Sequence, residues 1–369
     1  MSRKSCVLES EKFIKRNTQE IRRLIMECIE ETGKIQPKAV VKKFGISQQA
    51  VFKNVRALIE AGLITRNNEQ KNWPYRLCEL EEKDTSVEVS SATREDRVWT
   101  EFVSPHLGDM KDNVREIFHY GFTEMFNNII DHSQSKKADI NIARTAITVT
   151  ISVRDYGIGI WKKLQEEYNL DDPRHALLEL TKGKLTTDPQ RHTGEGIFFT
   201  SRMFDTFVIE SDRLSFCRFI EGDEWLFDVK QVDSIKGTNV MMRLRPDSTR
   251  TPREVFDKFS SDLNDYGFTR TNVSVQLAQH EGGDHLVSRS QAKRLLARLE
   301  KFKEVLLNFD GVTEIGQAFA DEIFRVFPNE HPNTHIWATK TTPAVDRMIA
   351  RARLAQQAEE QTSLPLPKI

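Results

Sequence analysis

Glu124 and Asn128 stand four residues apart in FTEMFNNIIDHS, so both side chains leave the same face of a helix. A carboxamide oxygen there suits Mg²⁺, and a neighbouring carboxylate can orient or deprotonate a nucleophile. Asp155 ends the run ITVTISVRD and is followed by Gly157 and Gly159. Its carboxylate can accept a hydrogen bond from an adenine amino group, while glycines let backbone approach a ligand without a Cβ clash. Gly194 and Gly196 in RHTGEGIFFT open an apolar helical run, where N–H donors and a positive dipole end favour phosphate. Gly237-Thr238 in KGTNVMMRLRP opens a strand, and the Thr238 hydroxyl can face a base. Taken singly, the Glu-Asn pair also reads as an ordinary polar helix face and the Asp-Gly-Gly run as a strand-end turn. His132, four residues after Asn128, either approaches the site or, as the commoner case, caps or packs at the helix end. No Walker A pattern occurs, so a P-loop is not implied.

The elements that must hold these groups are legible around them. Val114, Ile117, Phe118, Phe122, Met125, Phe126 and Ile129 recur at helical spacing over 112–130. Ile147, Val149, Ile151 and Val153 alternate, which predicts a half-buried strand. In this order the four elements resemble the N, G1 and G2 boxes and the closing Gly-Thr strand of the GHKL family, which includes gyrase and bacterial histidine kinases. The resemblance spans about residues 100–245 and implies a Bergerat α/β sandwich over 102–247. It implies ATP and Mg²⁺ as ligands, with Glu124 as general base and Asn128 as metal ligand. Asp155 would read adenine with Thr238 in support, and Gly157, Gly159, Gly194 and Gly196 would let backbone approach. Residues 160–193 would form a lid in which Lys182, Lys184, Arg191 and His192 are candidate phosphate contacts. Glu195 departs from the family pattern and is expected to point away or pair with a lid cation.

Upstream, an apolar stripe through Ile21, Leu24, Ile25, Cys28 and Ile29 predicts a helix ending at Gly33. A short helix from Pro37 to Phe44 follows, then a helix capped by Ser47, and two strands with Asn67 and Asn68 near their turn. VVKKFGISQQAVFKNVRALIEAGLITR resembles a winged helix-turn-helix, placed over 17–80. In residues 34–76 nine Lys or Arg stand against two Glu, a local charge of +7 that suits phosphate contact. Ser47, Gln48, Gln49, Lys53, Asn54 and Arg56 are the candidate DNA contacts. The alternative is a winged helix used only for protein contacts. Residues 81–101, polar and rich in acids, read as a linker.

Beyond a break at 245–254, strand and helix patterns alternate, which predicts an α/β layer over 253–356. LLNFDGVTEIGQAFADEIFRVF resembles STAS-like domains. In those, a phosphorylatable serine opens the helix; here that position falls on Glu314 or Ile315, with Thr313 nearby, and no phosphosite is assigned. Glu314 reads as a helix cap or a fixed negative charge. His331 and His335 read as surface residues. Residues 357–369 read as a loose tail.

The whole chain is then a multidomain α+β protein: winged helix, Bergerat sandwich and STAS-like unit. Its 369 residues carry a net charge of −1, which excludes a globally polybasic nucleic-acid or membrane binder. Four scattered cysteines suggest neither a disulfide framework nor a zinc site. No apolar run could cross a bilayer and no signal peptide is legible, so a cytoplasmic protein is expected. The leading functional expectation is an ATP-binding transcription regulator, with DNA, another signalling protein and a second copy of itself as candidate partners. The alternatives are a serine/threonine kinase of the anti-sigma partner-switching type and a slow ATPase clamp, so enzymatic activity stays open.

Overall fold

The computed structural model describes residues 3–67, 74–170, 172–185, 194–220, 224–228, 235–260, 267–279 and 285–363. Three helices open it: α1 (Arg3–Thr32), α2 (Pro37–Phe44) and α3 (Gln48–Glu60). Pro37 starts α2, where a missing N–H costs nothing. Ser47 Oγ accepts from the Ala50 N–H and so caps α3. Strands β1 (Ile64–Arg66) and β2 (Tyr75–Leu77) form the antiparallel hairpin that follows. Asn68, expected near its turn, lies outside the described residues. Ile25, Ile29, Val40, Val51, Val55 and Leu58 fill the space between the three helices, as their spacing requires.

The middle of the chain builds one antiparallel sheet of seven strands: β3 (Glu81–Glu88), β4 (Lys137–Arg144), β5 (Val149–Asp155), β6 (Thr206–Asp212), β7 (Leu214–Phe219), β8 (Glu224–Asp228) and β9 (Ile235–Leu244). Their order is β3-β4-β5-β9-β6-β7-β8. Along β5, Val149, Ile151 and Val153 are buried while Thr150, Ser152 and Arg154 are not, so the alternation in sequence becomes two unlike faces. The helices α4 (Glu95–Val98), α5 (Asp112–Asn128), α6 (Ile160–Glu167), α7 (Pro173–Lys182) and α8 (Gly196–Met203) belong to this unit. Phe118, Phe122 and Phe126 of α5 are fully enclosed against the apolar sheet face.

The expected linker at 81–101 is corrected here. Residues 81–88 pair with β4 along their whole length, and Val98 and Trp99 are buried in the core. The strand lies at the sheet edge, where it needs one neighbour, and its exposed acids discourage a second.

The last unit is a parallel sheet, β10 (Arg270–Ser274), β11 (Glu304–Asn308) and β12 (His335–Thr339), in that order. With it go α10 (Arg289–Leu296), α11 (Gln317–Asp321), α12 (Phe327–Glu330) and α13 (Pro343–Ser363), while α9 (Pro252–Asp257) packs back on α5 and α8, its Phe256 against Tyr120 and Phe199. Parallel pairing follows from helical crossovers between consecutive strands. The sheet's first strand is short, β10 giving way to a tight turn at Val275–Ala278. The tail expected from 357 is also corrected: α13 runs on to Ser363.

The three units share cores. Ile147, in the turn between β4 and β5, is buried among the winged-helix residues Ile21, Ile25 and Ile29. Glu27 on α1 pairs with Arg245 at 2.9 Å, and Arg23 pairs with Asp247. On the other side, Phe198 packs tilted against Phe268 and Phe268 meets Phe302 edge to face, with centroids 4.5 and 5.1 Å apart, and one buried cluster runs from α5 into the parallel sheet.

Candidate functional site

A cavity of about 300 Å³ opens between α5, α6, the start of α8 and the strands β5, β6 and β9. Glu124, Asn128, Asp155, Gly159, Gly194, Gly196 and Thr238 all line it. Gly157 does not, but its N–H donates to Asp155 Oδ1 at 2.8 Å. Four separate stretches of sequence therefore meet at one place, and the reason is local in each case.

Asp155 is the last residue of β5 and 3% exposed. Burial pushes its carboxyl above the ordinary carboxylate range, and the N–H groups of Gly157 and Thr238 with the Thr238 hydroxyl pull it back. Thr238 lies in β9, the strand hydrogen-bonded beside β5. Its Oγ1 also accepts from the Ile160 N–H at 3.0 Å, which fixes the first turn of α6 to the strand.

At the end of α5 the helix opens into one wide turn, Ile129–Ser133. Such turns cluster at functional sites because they re-aim side chains and carbonyls. Here Ser133 O accepts from the Ile158 N–H at 3.0 Å. A Cβ at Gly157 would collide with that carbonyl, so only glycine permits the contact between α5 and the end of β5. Gly196 answers a second close approach. A Cβ there would strike Glu124 Oε2, so the carboxylate sits directly against the first residue of α8. Val153, Ile158, Leu164, Ile209 and Val240 supply apolar wall.

Sequence reasoning did not anticipate Lys163. It lines the cavity from α6, donates to His132 O at 3.3 Å, and has its amine pulled below the usual lysine range by burial, opposed by Glu167 and Asp131. Its place one turn beyond Gly159 was the available signal. His132 takes the less common of its two readings: it lines the cavity rather than only closing the helix end.

The lid lysines are elsewhere. Lys182 is fully buried, 2.5 Å from Glu179 and donating to the carbonyls of Arg294 and Ala297 at 3.0 and 2.9 Å. Arg298 reaches the other Glu179 oxygen at 2.7 Å. Lys184 donates to Lys301 O at 3.0 Å and lies over the Phe302 ring. Both lysines thus tie α7 to the C-terminal unit instead of facing the cavity. Arg191 and His192 lie outside the described residues. Glu195 does not line the cavity; its charge, with that of Glu124, adds to burial in pushing the Tyr120 phenol upward.

On α3, Gln48, Gln49, Lys53 and Arg56 are exposed on one side. Asn54 is committed locally, accepting from Arg22 Nε at 3.2 Å and donating to Ala50 O at 3.0 Å, so it fastens α3 to α1. Ser47 is the cap already described. In the C-terminal unit, Glu314 does not cap α11, which starts after Gly316; it lies 3.4 Å from His285 Nδ1. Thr313 and His335 are exposed, and His331 is partly buried.

Comparison with known families gives two matches. Residues 18–65 match the model described as winged helix-turn-helix DNA-binding, and residues 291–346 match a STAS-like domain of unknown function. No curated protein matches the chain. The N-terminal unit is a winged helix-turn-helix and the C-terminal unit is STAS-like, within a mixed α/β architecture. Among the described residues, no helix is long and apolar enough to cross a membrane.

Proposed function

We propose that the cavity binds Mg·ATP and that the chain is a DNA-binding regulator whose nucleotide state is felt by its winged helix and its STAS-like unit. The observation that carries this reading is Asp155: a buried carboxylate, oriented by Gly157 and Thr238, on the wall of a cavity that also has an apolar wall of Val153, Ile158, Leu164, Ile209 and Val240 and a polar end at Glu124 and Asn128. A buried carboxylate is costly unless it has a donor to meet, and an adenine amino group is such a donor. About 300 Å³ is the size of a small-molecule site, usually ~300–1,000 Å³.

The residues present fit Mg·ATP. Asn128 would hold Mg²⁺ by its amide oxygen, and phosphate oxygens would complete the coordination, as suits a cation that rarely uses an all-protein cage. The N–H groups at the start of α8 suit phosphate. Bound Mg·ATP would supply an electrophilic γ-phosphoryl group. Glu124, beside Gly196, would orient an attacking hydroxyl or water and take its proton. An antiparallel sheet covered by helices on the cavity side supports a GHKL unit over 102–247, flanked by units at 17–80 and 253–356.

The shared cores support the regulatory part. Ile147 links the sheet to the winged helix, while Phe198 on the cavity wall touches Phe268, which touches Phe302. Rigid contacts of this kind let a ligand bias neighbouring units through differential affinity. The test is DNA affinity with and without Mg·ATP, in wild type and in Asn128→Ala. The proposal expects ATP to shift affinity in wild type and not in the variant; identical affinity in all four conditions would count against it.

A further inference from the structure

The exposed side of α3 holds one side chain that phosphate attraction does not explain. Phe52 is 40% exposed and takes no part in the cluster beneath the helix, where Val51, Val55 and Leu58 pack. It stands four residues after Gln48 and four before Arg56, with Gln49 and Lys53 alongside. A large apolar ring therefore occupies the middle of a cationic, amide-rich face. Phosphates and most base edges offer such a ring only donors and acceptors. The major groove holds one apolar target, the C5 methyl group of thymine.

We propose that Phe52 reads a thymine methyl in the DNA site and so sets sequence preference, while Lys53 and Arg56 supply charge. The inference rests on the DNA-binding reading of α3. Position along the helix agrees with it: recognition helices meet bases with their N-terminal residues, and Phe52 lies in the second turn. Ile59, 38% exposed and seven residues on, shares this side but sits about 10 Å further along. A protein interface over Phe52 and Ile59 is the competing outcome; the surrounding positive charge favours DNA.

The experiment begins with selection of the preferred duplex from random DNA by the full chain. Each thymine in that site is then replaced by uracil, which removes the methyl group and keeps the base pair. Wild type is expected to lose about fourfold or more at one thymine, the worth of one buried methyl group. Phe52→Ala is expected to bind thymine and uracil duplexes equally, with an unchanged salt slope, and its thermal melt checks the fold. Indifference of wild type to uracil at every position overturns the proposal. So does an equal loss in both proteins, or a Phe52→Ala change in oligomeric state with no uracil effect. A wild type with no salt-dependent affinity for DNA overturns the underlying reading too, and is told apart by that absence.

Discussion

Asp155 is 3% exposed, and burial raises the pH at which its carboxyl ionises. A carboxyl with a raised folded-state value favours folding when protonated. That contribution is complete below the ordinary carboxylate range and is lost as pH rises through the raised value. At neutral pH the wild type thus carries a charge that its fold disfavours. Asp155→Asn removes the charge, so its melting temperature at pH 7 should equal or exceed that of wild type, and the difference should shrink on acidification. The same variant should bind nucleotide at least about tenfold more weakly, since a charge-assisted hydrogen bond contributes about 1.5–3 kcal/mol. A variant that is both less stable at pH 7 and unchanged in affinity would make Asp155 a structural residue. That these residues gather at one place was legible in sequence because Glu124-Asn128, the glycines and Thr238 stand at spacings with a physical meaning. Lys163 escaped because its one signal, a place one turn beyond Gly159, is shared with the other residues of a charged helix turn.

Between elements, α7 is fastened to the C-terminal unit by a buried triad. Glu179 stands between Lys182 and Arg298, at 2.5 and 2.7 Å. Removing the acid leaves two cations facing each other, and breaking a buried pair costs about 3–5 kcal/mol. Glu179→Gln should therefore lower the urea midpoint sharply, with amide protection lost first in α7 and α10. Lys182→Met, which leaves Glu179 its arginine, should cost less. The alternative outcome, equal and small effects, would show the contact to be loose. Sequence periodicity revealed α5 and β5 because each buries one clean face. It concealed β3, whose charges belong to an edge, and the lid lysines, whose carbonyl partners lie more than a hundred residues away. The tie of Asn54 to α1 was hidden for a similar reason: its partner Arg22 is on another helix.

Over the whole molecule, net charge is −1 while the segment 34–76 carries nine bases against two acids. DNA binding should then be local and steeply salt-dependent. Losing Lys53 and Arg56 together should reduce the slope of log affinity against log salt by about two, if each meets one phosphate. An unchanged slope would place the contacts elsewhere. The shared cores were beyond sequence reasoning, because Ile147 belongs by pattern to a strand and by packing to the winged helix. Ile147→Ala should destabilise the winged helix by about 2 kcal/mol or more, the usual cost of an emptied core position, measurable as earlier proteolysis within residues 17–80.

The most direct test of the central claim is calorimetric titration of Mg·ATP into the full chain, beside Asp155→Asn and Asn128→Ala. The account predicts a single saturable site in wild type, weakened in both variants while each keeps its fold. Absence of binding by wild type, or equal binding by all three proteins, would contradict it.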